Sequence, residues 1–201
     1  MRNYLSESVG RYLNEVAART IVPGGGSAAA VEAALGVALN LMVINYSIKP
    51  SLSDAAKKDL LAIKKLQEKT LKTLVKLASR DSEAFTALMK ALSSGKPARK
   101  AYVRAAAVPL EVCKVCLVSV EVSLKLLAKG NRNLLTDIGC ASHMLSSAFR
   151  SARLNVLVNL KYMGGAFARK AAKDLSVMGK YVDGAESRIS AGVLKALKPE
   201  A

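Results

Sequence analysis

The sequence predicts an all-α protein, an up-and-down bundle of long helices built as a single helical domain over residues 1–201. Three observations carry that expectation. Apolar residues recur at spacings of three and four over long runs, and no strand-like alternation interrupts them. Apolar residues make up 51% of the chain but aromatics only 4%, with no Trp, so Ala, Leu and Val must form a core of closely packed helices. Breakers are few and clustered into short joints, as antiparallel neighbours require.

Taken in order, helices are expected at 4–18, 27–48, 53–92, 96–128, 136–161 and 165–197. The first is polar and amphipathic and does not read as a signal peptide. The second follows Pro23-Gly24-Gly25-Gly26, with Ser27 as a capping residue. It approaches membrane-spanning length, but Glu32, Asn40, Asn45 and its Ala/Gly content favour a buried helix over a lipid-facing one. Its row Ala30, Ala33, Ala34, Gly36, Ala38 permits close backbone approach, in the core or at an interface. Lys49-Pro50-Ser51 leads into the third and longest helix, whose apolar row runs Leu60, Ile63, Leu71, Leu74, Leu77, Ala78 and then Phe85, Leu88, Leu92. Ser93-Ser94-Gly95-Lys96-Pro97 precedes the fourth, which carries Cys113 and Cys116. With a single His and no second Cys pair, these are expected to be helix-buried thiols rather than a metal or redox site. After Gly130-Asn131, Thr136 is expected to cap the fifth helix, with Asp137 in its first turn. Gly164-Gly165 separates the fifth from the sixth. Helices this long leave one flank poorly covered, so a homodimer is expected.

Three cysteines, the third being Cys140, form no disulfide framework, which points to a reducing, cytoplasmic setting. The net charge of +16 attracts polyanions or an anionic small substrate. Its lysines (Lys57, Lys58, Lys64, Lys65, Lys69, Lys72, Lys76 among them) are spread along helices as a solvated face, without an RNA-binding aromatic signature, and nucleic acid is not favoured.

Three constellations carry chemistry. The Gly24-Gly25-Gly26-Ser27 turn offers free amides and a positive dipole at a helix start, hence an anion site, or simply a tight turn; it is neither a Walker A sequence nor a dinucleotide fingerprint. Asp81 falls within the apolar row of the longest helix, where a carboxylate is either functional or a member of a structural ion pair. Desolvation raises its pKa and a cationic neighbour lowers it; Glu83 faces elsewhere. On the fifth helix Asp137, Ala141, Met144, Ala148, Ser151, Asn155 and Asn159 fall near one face, and the two asparagines require partners or a polar cavity. His143 has no Ser, Cys or Asp at a triad-forming spacing and reads as an ordinary residue; the methionines read as packing.

These residues resemble a known family. Pro23-Gly24-Gly25-Gly26-Ser27-Ala28-Ala29-Ala30 followed by Ala34-Leu35-Gly36-Val37-Ala38-Leu39-Asn40-Leu41-Met42 is similar to the opening of the cyclodeaminase domain of formiminotransferase-cyclodeaminase and its free-standing bacterial relatives, the methenyltetrahydrofolate cyclohydrolases. Asp81-Ser82-Glu83-Ala84-Phe85 resembles the family's acid-containing helix. Ala107-Val108-Pro109-Leu110, Gly130-Asn131, Thr136-Asp137 and Asn155-Val156-Leu157-Val158-Asn159-Leu160 resemble later landmarks in the same order, over about residues 5–162. The resemblance implies an all-α homodimer acting on a tetrahydrofolate derivative, with no metal or bound cofactor. It implies Asp81 as general acid/base and Gly24, Gly25, Gly26, Ser27, Asp137, Asn155 and Asn159 as substrate-binding residues. Where the family has a Gly-Lys-rich segment, this chain has Tyr46-Ser47-Ile48-Lys49-Pro50-Ser51-Leu52, of which only Lys49 is a remnant. The implied reaction is closure of 5-formiminotetrahydrofolate to 5,10-methenyltetrahydrofolate with loss of ammonia, with the cyclohydrolase reaction on the same fold as the alternative. The lysine excess would then steer a polyglutamylated folate tail. A non-catalytic basic helical interaction protein is the remaining alternative.

Overall fold

Residues 3–95 and 97–198 are described in a computed structural model, and among them every regular element is helical. The elements are α1 (Val9–Ala17), α2 (Gly25–Ser47), α3 (Asp54–Ser93), α4 (Arg99–Lys129), α5 (Leu135–Met163) and α6 (Gly165–Ala196). Short 3₁₀ turns lie at Tyr4–Ser6 and Arg132–Leu134. Lys96, the expected start of the fourth helix, lies outside the described residues, as do residues 1–2 and 199–201.

Local chemistry explains where the helices begin, and corrects three expectations. The first expected helix is two pieces, because Ser8 leaves helical geometry and caps α1 by accepting from the Arg11 amide. Ser53 does the same for α3 through the Ala56 amide. Ser27 is not a cap: α2 starts two residues earlier on Gly24, and Ser27 sits inside its first turn. Nor is Thr136, since Leu135 already belongs to α5, which follows a 3₁₀ turn capped by Asn131. The α5–α6 joint turns on Gly164 and Gly165 at φ 63° and 82°, where a side chain would be strained.

Helix α2 is the spine. By length and composition it is apolar enough to cross a membrane (mean hydropathy 1.8), yet 61% of that stretch is buried inside the bundle against α3, α4 and α5. Ala30, Ala33, Ala34 and Gly36 of the small-residue row belong to the core, and Ala38 faces outward. A Cβ on Gly36 would fall 2.8 Å from Leu145 Cγ, so α2 and α5 approach as closely as only glycine permits. Phe149, Ile44, Leu74, Leu77, Leu126 and Ile138 fill the interior. Asn40 is fully buried but satisfied: its Nδ2 donates to the Ser119 carbonyl (3.1 Å) and its Oδ1 accepts from Ser123 Oγ (2.9 Å). Cys113 and Cys116 are buried in α4 as expected, and Cys140 is exposed. Antiparallel packing brings the start of α2, the last third of α3, the start of α4 and the end of α5 to one end of the bundle, and the cavity lies there.

Candidate active site

Gly24, Gly25 and Gly26 form one wall of a cavity of about 500 Å³, within the range of small-molecule sites. Asp81 projects from α3 and Asn155 and Asn159 from α5, so the turn, the acid and the asparagine pair expected from sequence meet at one place. Beyond them the lining becomes apolar and aromatic: Phe85 and Met89 on α3, Tyr102 on α4, Tyr162 on α5.

Helix starts leave their first amides without intrahelical acceptors. At α2 the Ala28 amide is the first to bond within the helix, to Gly24 O at 3.0 Å. The Ser27 amide donates to the Asp81 carboxylate, while those of Gly25 and Gly26 remain beside the cavity. Burial pushes the Asp81 carboxyl up to about 6 and the Ser27 amide opposes it only in part, because one hydrogen bond to the anion does not replace its hydration. No cation pairs with Asp81 among the described residues, so the ion-pair alternative fails. Gly26 is required by contact: a Cβ there would lie 2.5 Å from Asp81 Cγ. Asn155 abuts Gly25, lying 3.5 Å from the place a Cβ would occupy.

Each asparagine spends one N–H on its own helix, Asn155 Nδ2 on Ser151 O (3.0 Å) and Asn159 Nδ2 on Asn155 O (2.7 Å). That leaves a carbonyl oxygen and a second N–H on each for a ligand. Ser27 does not line the cavity; it is fully buried behind the wall, its hydroxyl 3.0 Å from Tyr12 OH. Tyr4 OH in turn donates to Ser82 Oγ (3.1 Å), next to the acid, and the two tyrosine rings meet edge to face with centroids 5.5 Å apart. The N-terminal segment thus grips the bundle through two hydroxyls, on either side of Asp81. Tyr12, with its phenol pushed up chiefly by burial, was not legible as a site-supporting residue.

Lys49 and Asp137, like Ser27, do not line this cavity. Lys49 follows the end of α2, which at 23 residues carries it about 35 Å from Gly25. Asp137 shares a face with Asn155 but stands five turns, about 27 Å, earlier along α5. His143 pairs on the surface with Glu186 (2.8 Å), consistent with its ordinary role. Among the described residues no group of three or more His, Cys, Asp or Glu side chains is placed to hold a metal.

A carboxyl group poised near neutrality in an apolar slot, faced by helix-start amides and neutral side-chain amides, defines a small-molecule enzyme site on an all-α bundle. A sequence profile of the formiminotransferase-cyclodeaminase family matches residues 8–176, and the chain belongs to that family. It is 34% identical to the methenyltetrahydrofolate cyclohydrolase of Methylorubrum extorquens, over 85% of this chain and 88% of that one. It is 29% identical to the formimidoyltransferase-cyclodeaminase of Gallus gallus, over 80% of this chain but only 32% of that longer protein. The crystal structure of formiminotetrahydrofolate cyclodeaminase from Thermotoga maritima superposes with a TM-score of 0.90, at 29% identity, covering 96% of this chain and 98% of that one. The chain is accordingly an enzyme, and the non-catalytic alternative is dropped.

Proposed function

We propose that the chain is a folate one-carbon enzyme acting on the carbon held between two nitrogens of a tetrahydrofolate, with Asp81 moving the proton. The observation that carries this reading is the acid with its pKa near 6, set where the free amides of α2 meet the Asn155–Asn159 pair. A pterin edge alternates donors and acceptors, and two amides with spare groups suit it.

In the cyclohydrolase direction, water adds to the methenyl carbon and the Asp81 carboxylate takes one of its protons, leaving a neutral carbinol. The carbinol then collapses: its O–H proton leaves to solvent as the C=O forms, the bond to N5 breaks, and protonated Asp81 gives its proton to N5, leaving 10-formyltetrahydrofolate. In the cyclodeaminase direction, N10 attacks the carbon of the protonated formimino group and gives up its proton to the Asp81 carboxylate; Asp81 then passes that proton to the amino group, whose bond to carbon breaks as ammonia leaves and the methenyl cation forms. We place the cyclohydrolase first, revising the expectation from sequence. The support is the Methylorubrum relative, a cyclohydrolase matched over 88% of its length at 34% identity. The cyclodeaminase is the second reading, favoured by the likeness to the Thermotoga enzyme.

The test follows methenyl absorbance when the purified chain meets methenyltetrahydrofolate or 5-formiminotetrahydrofolate. Accelerated loss on the first supports the cyclohydrolase; absorbance gained on the second, with ammonia, supports the cyclodeaminase. A chain that accelerates neither refutes the proposal. On the same footing we propose a homodimer through the outer face of α2 and α5 away from the cavity, where Leu35, Tyr46 and Leu154 are exposed. A cytoplasmic location, and steering of a polyglutamylated tail by the basic surface, complete the proposal.

A further inference from the structure

Tyr102 stands in the first turn of α4 and Tyr162 in the last turn of α5. Their rings stack with centroids 5.5 Å apart and planes 19° apart, and both line the cavity. Tyr162 is 63% exposed, so burial does not explain a large ring at this place. Tyr162 stands seven residues beyond Asn155 on α5, about 10 Å of helical rise from the amide that abuts the glycine turn. The slot therefore has a polar inner end at Asp81 and Asn155 and an aromatic ledge at its outer end. Lys161 Nζ stands 5.9 Å from the Tyr162 ring centroid, adding a positive charge beside the ledge.

We propose that the Tyr102–Tyr162 pair is the seat of the aminobenzoyl ring of the substrate, and so fixes which way the substrate lies. This rests on the folate reading above. A folate joins two flat bodies of opposite character through the one-carbon bridge. The pterin, rich in donors and acceptors, matches the asparagines; the aminobenzoyl ring, with a carboxylated tail that must leave toward water, matches an aromatic ledge at the open end with a lysine beside it. With the two rings so placed, the bridging carbon lies on the ledge side of the pterin, in the same cavity as Asp81. The tyrosines are positioning residues: stacking holds a ring in one plane without touching the reacting atoms.

The test uses N-(4-aminobenzoyl)-L-glutamate, which keeps the ring and tail and lacks the pterin. Its affinity, and that of tetrahydrofolate, are measured by calorimetry on the wild-type chain, Tyr162→Leu and Tyr162→Phe. Because Tyr162 is exposed, neither variant threatens the fold, and thermal melts check this. The expected result is that wild type binds both ligands, Leu weakens both about tenfold, and Phe, which keeps the ring, restores them. KM should rise with the Leu variant far more than kcat falls. Equal tetrahydrofolate binding by wild type and Tyr162→Leu overturns the ledge while leaving the folate reading standing, as does failure of the fragment to bind. Absence of tetrahydrofolate binding to wild type overturns both.

Discussion

Replacing Asp81 by Asn removes a charge that the folded state holds against its own burial, so the variant should be more stable as well as inactive. The carboxyl sits near 3.8 when solvated and about 6 in the fold. At 1.36 kcal/mol per unit, the ionised native state is penalised by about 3 kcal/mol. The sign follows from proton uptake: between the two values the folded chain binds the proton and the unfolded chain does not, so the penalty is absent below about pH 4, grows through the interval, and is complete above about pH 6. Asn keeps an oxygen for the Ser27 amide and carries no charge. Its advantage over wild type should therefore open from near zero at pH 4 to about 3 kcal/mol at pH 8, which for a chain of this size is roughly 6–12 °C in Tm. Urea or thermal unfolding of both proteins at pH 4, 5, 6 and 8 measures it, alongside turnover, which should fall by about 10²-fold or more. A stability difference that stays flat across those pH values would refute the buried-acid argument even if activity were lost.

Other outcomes follow from the same geometry. The pH–rate profile should contain an ionisation near 6, with activity rising through it if the rate-limiting step uses the carboxylate as base and falling if it uses the protonated acid; a flat profile from pH 5 to 8 would exclude Asp81 from that step. Gly26→Ala places a methyl against the carboxyl and should abolish turnover while the fold, checked by circular dichroism, survives; wild-type-like kinetics would contradict the contact. Tyr12→Phe and Ser27→Ala remove opposite ends of one buried hydrogen bond. Each should cost about 1 kcal/mol, and the double variant should be little worse than either single; simple additivity in denaturant melts would show that the two hydroxyls are not coupled.

Much of the fold was legible because this sequence punctuates its helices sparingly. The five joints marked by Pro and Gly are real, and the long helices lie between them within a few residues. The split of the first helix was hidden because Ser8, polar on a polar segment, leaves no gap in the apolar pattern. Asp81 could be read because it interrupts a greasy row, and the asparagines because two amides four apart on an apolar helix demand partners. Asp137 lies away from the cavity for a geometric reason: periodicity tells which face a residue occupies, not how far along the bundle it stands; Lys49 was drawn from the resemblance alone, with no geometry behind it. The stacked tyrosines were illegible because the partner of each lies on another helix 60 residues away; only their nearness to joints, in a chain with six Tyr and no Trp, marked them.

The helix that anchors the interior is also the one whose opening turn cradles the acid. Ala29, Ala30 and Ala33, with almost no solvent contact, set how near α2 stands to its neighbours, and Gly26 inherits that spacing a turn earlier. Enlarging any of them to harden the protein would pry the glycine turn away from the carboxyl it shelters. In this architecture thermostability and turnover are written into the same few small side chains, and an engineer seeking one without losing the other must work on α6 instead.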